Sequence, residues 1–190
     1  MPSSTVDSLP HLHLGVDAVD DGASIEADVL GLFDDCAASL TRYVRGCGLT
    51  PEAADDVVQD AFIALFRHLR LGRPRDNLRG WLFRVAHRQA VKHRVRAVRR
   101  RAWESPLGDG LLEDAADGAG DPEALLAERR SQRRLRSAVR ALPERHRHCL
   151  LLRAEGLGYR DIATVLGMSL GGVAKSLAHA FLRLSNVAKG

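Results

Sequence analysis

At 190 residues, with 45 % hydrophobic content but only 5 % aromatics, the chain suits one compact domain or two small helical lobes better than a sheet. Its three cysteines, Cys36, Cys47 and Cys149, include no C-x-x-C pair, which argues against a disulfide framework or a zinc site and for reduced, buried thiols. A formal net charge of +4 with a basic, patchy distribution favours a polyanionic partner, and the missing leader-like start and missing apolar run of membrane length set the expected location as cytoplasmic, with no membrane partner.

No sustained apolar/polar alternation and no hairpin signal occur, so the expected class is all-α. Residues 1–24 are rich in Ser, Asp, Gly and Pro and read as a disordered acidic arm; from Met1 to Thr41 there are eight acids and no Lys or Arg. A first helix is expected from Ile25 to Arg45, where Val29, Phe33, Cys36, Leu40 and Val44 recur at helical steps before Gly46 and Gly48. A second helix starts at Thr50 as cap, with Pro51 at the first helical position and Glu52, Asp55 and Asp56 near the positive end of the helix dipole. Val58, Phe62, Leu65 and Leu69 form its buried stripe. After residues 72–76 a third helix is expected from Leu78 to Arg101, with Trp81, Leu82, Val85, Ala86 and Ala90 inward. From Asn77 to Trp103 there are nine Lys or Arg and no acid, and core packing does not explain the far half of that helix.

Residues 104–123 are Gly-, Asp- and Ala-rich and read as a flexible acidic linker around which two lobes can move. The expected organisation is therefore an arm over 1–24, a helical domain over 25–103, the linker over 104–123 and a second helical domain over 124–187. From Arg129 to Gly190 thirteen bases face three acids.

The segment YRDIATVLGMSLGGVAKSLAHAFLRL has helix-turn-helix spacing: a short helix, a turn at Gly167, Met168 and Ser169, and a longer second helix with Ser169 as its cap. Ile162, Ala163 and Leu166 would face inward from the first helix, and Val173, Leu177, Ala180 and Leu184 from the second. The outward residues expected to meet the major groove are Gly171, Gly172, Lys175, Ser176, His179 and Arg183, with Arg160 free to contact a phosphate.

AADDVVQDAFIALFRHL followed by DNLRGWLFRVAHRQAVKHRVRAVRR resembles region 2 of extracytoplasmic-function (ECF) sigma factors of the sigma-70 family. LPERHRHCLLLRAEGLGYRDIATVLGMSLGGVAKSL resembles their region 4, in the same order across a variable linker. The resemblance implies that Asp55, Asp56, Gln59 and Asp60 dock on the clamp helices of the polymerase β′ subunit, that region 4 also meets the β flap, and that an anti-sigma factor is a candidate partner. It implies as well that the loop Asp76, Asn77, Leu78, Arg79 captures a base of the minus-ten element, while Arg84, Arg88, Lys92 and Arg96 hold the strand. Trp81 is read two ways, as a stacking platform or as core. Region 4 would contact the minus-thirty-five element of promoter DNA.

Two segments depart from the family pattern. Arg88 and Lys92 stand where an Asn and an Asp are usual in ARNLAIDH. In the recognition helix Leu170, Gly172, Ala174, Ala178 and Phe181 replace expected polar or basic positions of SEGTVKSRLHRAR. Two other readings stay open: a helix-turn-helix regulator independent of polymerase, and a degenerate sigma-like interaction protein. An enzyme is not expected, since no nucleophile, base and orienting group, no phosphate loop and no cofactor motif is recognisable. His146, His148 and Cys149 lie too close along a helix to converge on a metal ion.

Overall fold

A computed structural model describes residues 17–103 and 122–188, which form seven α-helices and no strand among the described residues. They are α1 Asp17–Gly46, α2 Pro51–Arg70, α3 Leu78–Trp103, α4 Pro122–Arg140, α5 Glu144–Ala154, α6 Tyr159–Leu166 and α7 Leu170–Ala188. The all-α expectation holds. Residues 1–16 and 104–121, to which most of the proposed arm and linker belong, lie outside the described residues.

The helix starts follow local chemistry. Thr50 is extended at φ −66° and ψ 160°, and its hydroxyl accepts a hydrogen bond from the Ala53 amide at 3.3 Å, with Pro51 supplying a helical φ. Thr50→Ala is expected to lower the unfolding free energy by about 1 kcal/mol, read as a shift of the urea midpoint at constant m-value. The first helix departs from expectation, beginning at Asp17 rather than Ile25. Gly22 is its one weak interior residue there, and a single helical Gly costs only about 1 kcal/mol, which a helix anchored by buried Ile25 absorbs.

Helices α1, α2 and α3 pack around Leu40, Tyr43, Val57, Leu65, Leu82 and Phe83, all fully buried. Helices α4 to α7 pack around Leu152, Ile162, Val173 and Leu177. Each such side chain contributes about 1.5–3 kcal/mol when removed from water. Phe33, one of the apolar residues recurring at helical steps in α1, is 48 % exposed, and its ring leans on Phe62 at 5.0 Å.

The two lobes do not stand apart. Their buried residues form one continuous cluster that runs from Val44 and Phe83 to Cys149, Leu152 and Ile162. Helix α6 packs on α3, and α5 on the end of α1. A Cβ on Gly46 would come within 2.9 Å of both Leu151 methyls, so the absence of a side chain there lets α1 close on α5.

Candidate polymerase and nucleic-acid interface

Asp55, Asp56, Gln59 and Asp60 are all exposed on the outer side of α2, because Val57, Val58, Ala61 and Phe62 take the buried positions between them. Beside them a groove of about 1180 Å³ runs between α1 and α2, and Asp55 and Gln59 share its lining with Phe33, Phe62, Ile63 and Phe66. An acidic and amide lip therefore borders one end of a largely apolar trough, and Arg67 and Arg70 line the other end. Its acidic end suits the cationic groups of a partner that lays apolar side chains in the trough, because burial supplies affinity and the rim charges supply encounter rate and specificity.

On α3, Arg88, Lys92 and Arg96 are exposed and Arg84 is half-buried. Steps of four residues keep them on one side, spread over about 18 Å at 1.5 Å per residue, a row fit to track phosphates. Trp81 is half-buried and packs its ring on His68 at 4.7 Å, filling a gap between α2 and α3 rather than standing free as a platform.

The loop before α3 has a structural duty of its own. Asn77 adopts a left-handed φ of 49°, and its side-chain oxygen accepts the Gly80 amide at 3.0 Å, capping α3. Its amide nitrogen donates to Asp161 of α6 at 2.6 Å. Arg79, two residues on, donates to the Glu155 carbonyl at 2.6 Å.

These contacts belong to a seam that closes the lobes. Arg42 makes a two-pronged ion pair with the Glu155 carboxylate, through Nε at 3.2 Å and Nη2 at 2.7 Å. Arg94 pairs with Glu144 at 2.6 Å. Between them the Tyr43 hydroxyl and His87 Nδ1 share a hydrogen bond of 2.7 Å, and His87 meets His148 edge to face at 5.1 Å. His148 is buried and its Nε2 has no hydrogen-bond partner. Burial, reinforced by the facing His87, pushes its pKa down to about 4.

Helices α6 and α7 meet at 101°, inside the range of a helix-turn-helix. Gly167 sits at φ 63° and ψ 41°, a left-handed conformation that turns the chain without a Cβ penalty, and the Ser169 hydroxyl accepts the Gly172 amide at 3.1 Å. Arg160, Gly171, Lys175, His179 and Arg183 are exposed and Gly172 is half-buried. Ser176 does not face outward as expected: it is 3 % exposed and turned toward Cys149 of α5. At 100° per residue, the position after Lys175 swings into the lobe whatever its polarity. His179 is occupied as well, its ring lying 5.1 Å from that of His146. The outer face of α7 is made instead by Leu170, Gly171, Ala174, Lys175 and Ala178, continued by Phe181 and Leu182.

A sigma-70 region 2 family model matches residues 32–104, and a sigma-70 region 4 model matches residues 132–184. RNA polymerase sigma factor YlaC of Bacillus subtilis is 31 % identical over 134 residues, 70 % of this chain and 76 % of the relative. The ECF RNA polymerase sigma-E factor of Escherichia coli is 30 % identical over 156 residues, 79 % of this chain and 78 % of its own length. This chain belongs to the ECF sigma factors of the sigma-70 family. Two solved structures share the fold: CnrH in complex with the cytosolic domain of CnrY, with TM-score 0.59 and 23 % identity over 90 % of this chain and 94 % of that one, and RpoE with the anti-sigma factor NepR from Bartonella quintana, with TM-score 0.61 and 21 % identity over 84 % and 95 %.

In this ECF sigma factor the region 2 match covers the second half of α1 with α2 and α3, and the region 4 match covers the helix-turn-helix of the second lobe. Sequence reasoning missed the seam. Arg42 and Glu155 are 113 residues apart, and no local pattern links them. The one available signal was charge: three acids stand among thirteen bases after Arg129, and all three, Glu144, Glu155 and Asp161, turn out to face region 2.

Proposed function

We propose that this chain directs core RNA polymerase to promoters, with α2 docking on the core, α3 and its preceding loop holding the minus-ten strand, and α6–α7 meeting the minus-thirty-five element. The observation that carries the reading is the exposed Asp55, Asp56, Gln59 and Asp60 surface beside an apolar groove, on the same lobe as the basic row of α3. The family supports it, since relatives matching over most of their length are named RNA polymerase sigma factors. Because one structural neighbour is a complex with the anti-sigma factor NepR, an anti-sigma partner is part of the proposal. The proposed division places region 2 over residues 25–103 and region 4 over 124–187.

The seam adds a condition. Asn77 and Arg79 serve Asp161 and the Glu155 carbonyl in the closed arrangement, so either residue turns to DNA only after it releases its partner on region 4.

Purified protein added to core polymerase is expected to start transcription at discrete sites of its own genome, whereas core binding without initiation would sink the reading. The paired change Gln59→Lys with Asp60→Lys, beyond the first turns of α2, is expected to weaken core association at least about tenfold while leaving the melting temperature within a degree or two, since both groups are exposed.

A further inference from the structure

The proposed region 4 contact with DNA leaves open how a recognition helix stripped of polar residues reads a sequence. The part of α7 that a helix-turn-helix presents to the groove is its first two turns and the start of the third, here Leu170, Gly171, Ala174, Lys175 and Ala178, all exposed. Leu170 keeps 50 % of its surface in water, and a Cβ added at Gly171 would meet nothing, so this face has no packing partner among the described residues. Within it Lys175 is the one side chain with a hydrogen-bonding group; the next exposed one, His179, has its ring 5.1 Å from that of His146. Asn, Gln and Arg, which make bidentate contacts with adenine or guanine, are missing from it.

The surroundings indicate the kind of occupant. All three acids between residues 129 and 190 are drawn to the seam with region 2, and α7 itself contains no acid. Arg160 and Lys175 are exposed on the outer side of α6 and α7, so cations border an uncharged surface. A polyanion that also offers apolar features at its floor fits it. The major groove admits a helix, and the apolar group that a base edge presents there is the 5-methyl of thymine.

We infer that this sigma factor reads its minus-thirty-five element through thymine methyl groups, contacted by Leu170, Ala174 and Ala178, with Lys175 supplying the single polar contact. The inference rests on the promoter-binding function proposed above. It makes those apolar residues determinants of specificity, and it makes an A·T-rich element the preferred target.

The test uses the full chain assembled with core polymerase and a duplex library randomised upstream of a fixed minus-ten segment. Selection is expected to enrich thymines in the upstream window. Replacing a contacted thymine by uracil, which removes the methyl and keeps every hydrogen-bonding group, is expected to weaken binding about fourfold per methyl, the equivalent of one buried CH₂ at about 0.8 kcal/mol. In Leu170→Ser and Ala174→Ser proteins, whose changed positions are exposed and whose folding is verified by melting, the uracil penalty is expected to shrink toward none. Uracil binding as well as thymine, or a selected window of G·C pairs, overturns the inference while leaving promoter binding intact. Failure to join core or to bind any promoter overturns the inference and the function together.

Discussion

Phe83→Ala is expected to lower the unfolding free energy by about 3–5 kcal/mol, the range for a fully buried aromatic ring truncated in a packed core. Phe83 has no exposed surface and is wedged against Tyr43 with ring centroids 5.7 Å apart. The Arg79 guanidinium lies 5.8 Å from its centroid, and that same group donates to the Glu155 carbonyl across the seam. The cavity would therefore remove core contacts and also the surface on which an interlobe donor rests. Urea denaturation gives the value through the midpoint. A loss under about 1 kcal/mol would mean that the site collapses to fill the gap and that the ring is not the wedge described.

Acid is expected to weaken the fold in a window set by His148. Its folded pKa, about 4, lies below the ordinary histidine value of 6.5. With the folded value depressed, a falling pH protonates the unfolded chain first. Stability is thus whole above about pH 6.5 and is lost progressively as pH falls toward 4. Between pH 7.5 and 5 this amounts to about 2 kcal/mol for the one residue. The groups around it set the balance: His87 and Arg94 on α3 and Arg147 on its own helix oppose a proton there, while Glu144 favours one. His87 is itself pushed down by burial, so it adds to the same trend. The check compares urea midpoints of the parent and His148→Gln across that range. Parallel curves would show that His148 titrates alike in both states and would refute the assignment.

Much of this molecule was legible from its residues. The Thr50 cap with Pro51, the Gly167 turn and the apolar steps along α2 and α7 are local signals, and each produced the element expected of it. What sequence spacing misjudged was direction. Ser176 belongs to the set expected to meet the groove, yet its angular position turns it toward Cys149, while Ala174 and Ala178 take the outer face. Phe33 shares the helical period of Cys36, Leu40 and Val44, yet it lines an open groove while they are buried. Asn77 was read as a base contact, and the fold also uses it to cap α3 and hold Asp161. The seam was invisible because its partners lie far apart along the chain, and burial of His148 depends on a lobe that no helical period specifies.

The engagement of Asn77 and Arg79 by region 4 has a thermodynamic corollary. A ligand that needs both groups free binds only the open fraction of molecules, so its apparent dissociation constant is the intrinsic one divided by that fraction. Under the function proposed above, Glu155 and Arg42 would act as a gain control: shifting the open fraction would rescale affinity for every promoter by the same factor and leave their ranking untouched. Strength of response and choice of target would then be separately adjustable, the first at the seam and the second on α7.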